Sequence, residues 1–276
     1  MDAPFAEYRE VSVTDPLRQG DVLEAVASDA TMWQRHLLVV TADCDFAHAK
    51  HQGRVTCVPM LTTEEYLSEM QIPKLREQLA KQQVRELRQI LSKSATPTIT
   101  ERRLREWPNE QEPLNIVSML NLQPAEGKRA KAALEAIRMI DMQADSLEEI
   151  MRLFVEAQLI GINPPKRENA VKRVKEKLRE PYFYPPGDAL FLTAIGPGQD
   201  SGYFAYLRHI EQVWEPKISL GPSRQNFSYR RISRMQDRFT HALAQKFAMV
   251  FMSIGLPNQY EDLRDLYADY LGDDLT

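Results

Sequence analysis

Cysteine is scarce in this sequence, with Cys44 and Cys57 the only two among 276 residues. A chain of that size with two thiols is no disulfide scaffold, and the pattern suits a reducing compartment. Long hydrophobic runs are missing as well: nothing approaches the roughly 20 apolar residues of a membrane-spanning helix. The opening MDAPFAEYREVSVTDP carries acids and lacks the apolar stretch of a secretory leader. Together these absences predict a cytoplasmic protein without membrane association. Glycine is sparse beside proline, 11 against 17, which points to Pro-bounded turns and not to flexible linkers. A basic excess is also lacking. The formal net charge of −4 excludes nucleic-acid binding by the field of the whole molecule and leaves only a local basic face.

What is present is the material of a globular core, 43% hydrophobic against 27% charged. Residues 18–61 read as strands. The turn Gln19-Gly20-Asp21 leads into Val22-Leu23-Glu24-Ala25-Val26; residues 36–41 form a β-prone run; Gly53 opens a strand over residues 54–60. Pro59 argues that this last strand lies at an edge or is ending. Residues 63–180 read as helical, from a start at Thr62 or Thr63 with Glu64 and Glu65 in the first turn. The stretch KRENAVKRVKEKLR, residues 166–179, is a basic helix with a thin apolar seam, read as a solvated face. After Pro185-Pro186-Gly187-Asp188 the pattern returns to strands at residues 189–195, 203–207 and 210–214. An amphipathic helix follows from Met235, with Phe239, Leu243, Phe247, Val250, Phe251 and Ile254 on one stripe, ending at Gly255-Leu256-Pro257. A last helix spans about residues 259–271, with Tyr260, Leu263, Tyr267 and Tyr270. The expected fold is α+β. Residues 1–62 and 181–257 form one small barrel or curled sheet with a closing helix, residues 63–180 a helical insertion, and residues 258–276 a C-terminal helix.

The densest reactive cluster follows the buried-looking strand at residues 36–41, in the stretch Thr41-Ala42-Asp43-Cys44-Asp45-Phe46-Ala47-His48-Ala49-Lys50-His51. A strand end opening into a polar loop displays chemistry on a rigid support. Asp43, Cys44, Asp45, His48 and His51 are the candidate catalytic residues. Three readings compete for them. Cys44, His48, His51 and Cys57 offer two thiolates and two imidazoles to a tetrahedral zinc. Cys44 offers a nucleophile if His48 or Lys50 lowers its pKa, although Asp43 and Asp45 oppose that. The plain reading is a buried Cys44 with aspartates capping backbone amides. No cofactor is expected beyond that zinc alternative. The Gly196-to-Gly202 loop lacks the Gly-Lys-Ser/Thr ending of a phosphate cradle and reads as a hairpin connection.

Residues 224–234, Arg-Gln-Asn-Phe-Ser-Tyr-Arg-Arg-Ile-Ser-Arg, mix cations with aromatics, a composition that stacks on bases and pairs with phosphates. The same arginines are equally suited to neutralising Asp43 and Asp45. Arg35, Lys50, Arg224, Arg230, Arg231 and Arg234 are the candidate nucleic-acid contacts.

The segments 19–23, 37–41 and 55–60, with Arg231-Ile232-Ser233-Arg234-Met235 leading into the helix that closes at Gly255-Leu256, resemble the PemK/MazF-like small-barrel toxins. That resemblance implies an SH3-like or PemK-like barrel and a sequence-specific, metal-independent endoribonuclease of a toxin–antitoxin pair. An arginine near the first strands and a Ser or Thr after the third would act there; Arg35 and Thr62 or Thr63 occupy comparable places. The Asp-Cys-Asp stretch and the helical insertion depart from that family. The Asp-Cys-Asp stretch is also similar to a feature of bacterial proteins for which no activity carries over. The leading expectation is an RNA-binding or RNA-cleaving component of a bacterial conflict, stress or phage-defence module. The alternative is a non-enzymatic subunit that docks a protein partner, or a second copy of itself, through its helices.

Overall fold

The computed structural model describes residues 5–93, 99–252, 259–260, 262–264 and 266. Its strands are β1 (Tyr8–Arg9), β2 (Asp21–Ala25), β3 (His36–Val39), β4 (Arg54–Thr62), β5 (Ala189–Leu192), β6 (Tyr203–Tyr206), β7 (Glu211–Trp214), β8 (Ile218–Ser219) and β9 (Tyr229–Met235). Its helices are α1 (Met32–Arg35), α2 (Asp43–Ala47), α3 (Thr63–Tyr66), α4 (Ile72–Leu91), α5 (Glu101–Glu110), α6 (Pro113–Leu120), α7 (Pro124–Asp141), α8 (Leu147–Leu159), α9 (Arg167–Phe183) and α10 (Asp237–Met252). The architecture is α+β. The chain divides into two compact units, Met1–Leu61 with Pro186–Thr276, and Thr62–Pro185. No helix among the described residues is long and apolar enough to cross a membrane.

The first unit is a curled, half-barrel sheet in the order β1-β9-β2-β3-β4-β6-β5, with β7 beside β4 and β8 beside β9. β9 runs antiparallel to β1 and β2, β3 to β2 and β4, β7 to β4, and β5 to β6, whereas β8 is parallel to β9. Alternation along each strand feeds two cores, as a period of two requires. Val22, Leu38, Val58 and Met60 face a cluster completed by Leu243 and Val250 of α10. Leu23, Leu37, Val39, Val55 and Cys57 face the opposite cluster with Leu17, Val213 and Ile218. The expectation of an edge strand at Pro59 fails. β4 lies between β3 and β6, and Pro59 sits opposite Leu37, past the stretch that pairs with β7.

β9 contains a bulge. Val22 pairs with Ser233 but Leu23 pairs with Arg231, so Ile232 is the extra residue. One inserted residue reverses the parity of the strand. Arg231 and Arg234, three apart, therefore reach the same face as Asp21.

The second unit is all helix. Thr62 caps α3 with its side chain on the Glu65 amide, while Glu65 returns a bond to the Thr62 amide, the reciprocal capping box. A π-helical turn at Leu67–Gln71 joins α3 to α4. The long α4 then serves two cores: Ile72, Leu75 and Ala80 pack with Phe154, Val155 and Val174, whereas Val84, Leu87 and Ile90 pack with Leu104, Ile116 and Ile137. α9 is the expected basic helix. Ala170, Val174 and Leu178 are its buried seam, and Arg167, Lys172 and Lys177 pair with Glu156, Glu176 and Glu180.

α10 begins at Asp237, with Met235 still in β9, and Phe239 and Phe247 pack against its core. The stop at Gly255-Leu256-Pro257, the stripe residue Ile254, and Tyr267 and Tyr270 of the last helix lie outside the described residues.

Candidate functional site

The stretch after β3 is no open loop. Asp43–Ala47 forms the short helix α2, with Asp43 and Asp45 in its first turn. A tight return follows, in which Ala49 and Gln52 hold left-handed φ of 52° and 50° and Gly53 holds 73°. Left-handed backbone is costly for a residue with a Cβ, so two such positions inside four mark a turn enforced by its surroundings.

The turn delivers the predicted cluster to different places. Asp43 points to the 18–19 turn: its carboxylate accepts from Arg18 Nη2 at 2.5 Å and from the Gln19 amide at 2.9 Å. Partial burial opposes its ionisation, but the Arg18 hydrogen bond, the Gln19 amide and the fields of Arg18 and Arg234 outweigh it. The carboxyl is held below its ordinary range. Cys44 is exposed, its thiol 3.8 Å from Asp45 Oδ1, so the buried reading of Cys44 is corrected. His48, at the end of α2, is exposed. Cys57 is fully buried in the sheet, and burial pushes its thiol up, away from thiolate. No group of three or more His, Cys, Asp or Glu side chains among the described residues is placed to hold a metal ion. Cys44, His48, His51 and Cys57 are therefore not gathered as zinc ligands.

His51 turns inward. Its Nε2 lies 2.7 Å from Glu215 Oε2 and its Nδ1 3.1 Å from the Asp45 carbonyl oxygen. A neutral ring donates from one nitrogen only. With acceptors at both, the imidazolium is favoured, and the Glu215 hydrogen bond, then the Asp45 carbonyl, raise its pKa. His51 thus has both ring nitrogens engaged, and neither is presented to a ligand as a general base.

The candidate arginines also divide. Arg234 donates to Asp21 through Nε at 2.5 Å and Nη2 at 2.9 Å, and Arg231 through Nη1 at 3.3 Å. Their side chains are 5% and 2% exposed and Asp21 is fully buried. Arg231 Nη1 and Arg234 Nη2 also donate to the Pro16 carbonyl, and Arg231 Nη2 donates to the Ser12 carbonyl. Neither can reach a ligand, and their carboxylate is Asp21, not Asp43 or Asp45. Arg230 sits on Glu24 at 2.6 Å, with Arg224 on the same carboxylate at 3.7 Å. Arg35 is exposed, at the end of α1. Thr62, expected to act on the family pattern, is committed to its cap.

Lys50 is the candidate that opens onto a cavity. A cleft of about 420 Å³ is lined by Val40, Thr41, Asp45, Lys50, His51, Gln52, Arg54, Thr56, Gln212 and Phe247. Its wall is the β4–β7 ladder, where Arg54 pairs with Trp214 and Thr56 with Gln212. Residues directly opposite share a face. That face buries Val58 and Met60 beneath α10 and turns polar at Thr56 and Arg54. Arg54 stands 5.5 Å over the Trp214 ring. Among the described residues no carboxylate forms an ion pair with Lys50 or Arg54.

No family model, curated protein or solved structure matches the chain. The site therefore rests on its own geometry. Arg54, Gln212 and Trp214 were missed in the sequence. The signal was there in the alternation Arg54-Val55-Thr56-Cys57, with polar residues at every second position, but its partner strand lies about 160 residues on. The helical unit has a cleft of about 440 Å³ lined by Gln82, Gln83, Glu86, Arg129 and Asn163, in which the one cation, Arg129, is bonded to Glu86.

Proposed function

We propose that this protein binds RNA through the cleft face of β4 and β7. On this reading the curled sheet is an SH3-like or PemK-like barrel, and the protein serves a bacterial conflict, stress or phage-defence module. The observation that carries the reading is that Arg54 on the sheet face and Lys50 on the adjoining turn, neither in an ion pair among the described residues, stand with a half-exposed tryptophan beside the cleft, which Asp45 also lines. Cations bind the phosphate chain and aromatic faces bind bases, so this combination suits nucleic acid better than a small acidic metabolite. Cleavage is the weaker half of the expectation, because His51 has both nitrogens committed and Arg231 is buried. Lys50→Glu with Arg54→Glu should weaken oligoribonucleotide binding at least ~10-fold and lower the salt slope by about 0.7 for each phosphate no longer neutralised. Unchanged affinity and slope would sink the reading.

A second reading has its own observation. Phe183 and Tyr184, at the end of α9, are 72% and 78% exposed, and Leu114 and Met119 of α6 are each 60% exposed. Exposed apolar side chains on the helical unit suit docking of a protein encoded alongside. Phe183→Ser with Tyr184→Ser should then abolish co-purification with that protein and leave RNA affinity as it was.

A further inference from the structure

Trp214 is the large apolar side chain on the exposed face of β7. Its neighbour Val213 is buried at 6%, whereas the indole is 50% exposed beside the cleft. Water contact is a poor use of so large an apolar ring, and surface tryptophans commonly contribute to a binding surface. The ring is also held in place. Arg54, its cross-strand partner, sits 5.5 Å from the ring centroid, a cation–π distance. The Gly53 backbone lies close to the ring as well, since a Cβ added there would meet indole carbons at 3.7–4.0 Å. Gln212, two residues along the same face, carries an amide able to donate and accept within the cleft.

We propose that Trp214 is a base-stacking platform, so that the ligand is single-stranded RNA with an unpaired base and not a duplex. This rests on the RNA-binding reading above. In a duplex the base faces are covered by their neighbours and only edges, sugars and phosphates are offered. An indole flanked by Arg54 and Lys50 therefore selects a strand whose base leaves the stack while its phosphates meet the two cations. The Gln212 amide would meet the edge of that base.

The test uses the full chain with Trp33→Phe and Trp107→Phe, which leaves Trp214 as the only one of the three tryptophans. Its fluorescence is titrated with single-stranded oligoadenylate and with a fully paired RNA duplex of equal length. Saturable quenching by the single strand and none by the duplex is the expected result. In the otherwise wild-type chain, Trp214→Ala should weaken single-strand binding by about 5- to 150-fold, the range of one stacked base, and Trp214→Phe should restore most of it. Suppose RNA binds and the Lys50/Arg54 reversal weakens it, yet Trp214→Ala matches wild type or the duplex competes equally. Stacking is then overturned while RNA binding stands. If no RNA binds at all, both fall together.

Discussion

Removing the charge of Asp21 is the sharpest perturbation of this fold. In Asp21→Asn the side chain keeps its shape, but two guanidiniums stay buried without a counter-charge. Breaking a buried ion pair from one side costs about 3–5 kcal/mol, because the partner is left desolvated and unneutralised. Arg231 would retain the Ser12 carbonyl at 2.7 Å and the Pro16 carbonyl at 3.1 Å, and Arg234 the Pro16 carbonyl at 2.8 Å. Those neutral acceptors satisfy hydrogens without cancelling charge, so the loss should stay inside that range. It amounts to a large part of the ~5–15 kcal/mol that holds a typical domain. At roughly 2–4 °C per kcal/mol for a unit of this size, the midpoint should fall by about 6–20 °C. Urea and thermal unfolding of a Trp107→Phe background would report it, since Trp33 and Trp214 both belong to the sheet unit. Asp43→Asn is the control. Its Arg18 bridge is 51% and 42% exposed, and an exposed pair contributes under ~1 kcal/mol. A loss at Asp21 no greater than that at Asp43 would refute the assignment of the buried triad as the fastener of β2 to β9.

Three further outcomes follow from single residues. Gly20 has a φ of +88°, and a Cβ there would overlap the Thr240 hydroxyl of α10. Gly20→Ala should cost about 1–3 kcal/mol, and adding Thr240→Ala should recover the steric part while leaving the backbone part, measured by denaturant midpoint. His51 has a raised folded pKa, so its pairing with Glu215 stabilises fully below the ordinary imidazole value of ~6.5 and fades as pH rises through the raised value. The stability gap between wild type and Glu215→Gln should therefore narrow from pH 6 upward, and a gap that widens with pH would contradict the imidazolium. Native thiol labelling should show one fast cysteine, Cys44, and one that reacts only on unfolding, Cys57. Two fast thiols would mean that β4 opens readily.

Much of the architecture was legible because apolar periodicity is local. The strands at 54–60 and 203–207 announced themselves by spacing, as did the helix expected from Met235, which begins at Asp237, and the helix start at Thr62 or Thr63, where Thr62 is the cap. The site was less legible, and for a definite reason. Asp43 to His51 looked reactive because titratable residues crowd together in sequence, yet α2 and the left-handed turn at Ala49 and Gln52 send those side chains in different directions. Crowding along the chain says nothing about convergence in space. His51 found its carboxylate 164 residues away, at Glu215.

The arginines make the same point through parity. A regular strand places Arg230 and Arg234 on one face and Arg231 on the other, so no periodic reading of residues 229–235 puts 231 and 234 together. The bulge at Ile232 does so, and a bulge depends on register with β2, more than 200 residues earlier. What the bulge takes from the surface it gives to the core. Two of the arginines read as candidate phosphate contacts, Arg231 and Arg234, instead lock Asp21 and the carbonyls of Ser12 and Pro16 to the sheet. Lys50 and Arg54, which form no ion pair among the described residues, line the cleft beside the turn that carried the suspect cluster. The region singled out by its chemistry therefore lies beside the proposed binding face, although the residues that suggested it are mostly engaged elsewhere. The face itself is set by the β4–β7 register, in which Arg54 meets Trp214 and Thr56 meets Gln212 while Val55 and Val213 go into the core. A single-residue slip of β7 in that register would bury the indole and expose Val213. The hydrophobic core of this unit and its candidate binding face are thus fixed by one and the same pairing.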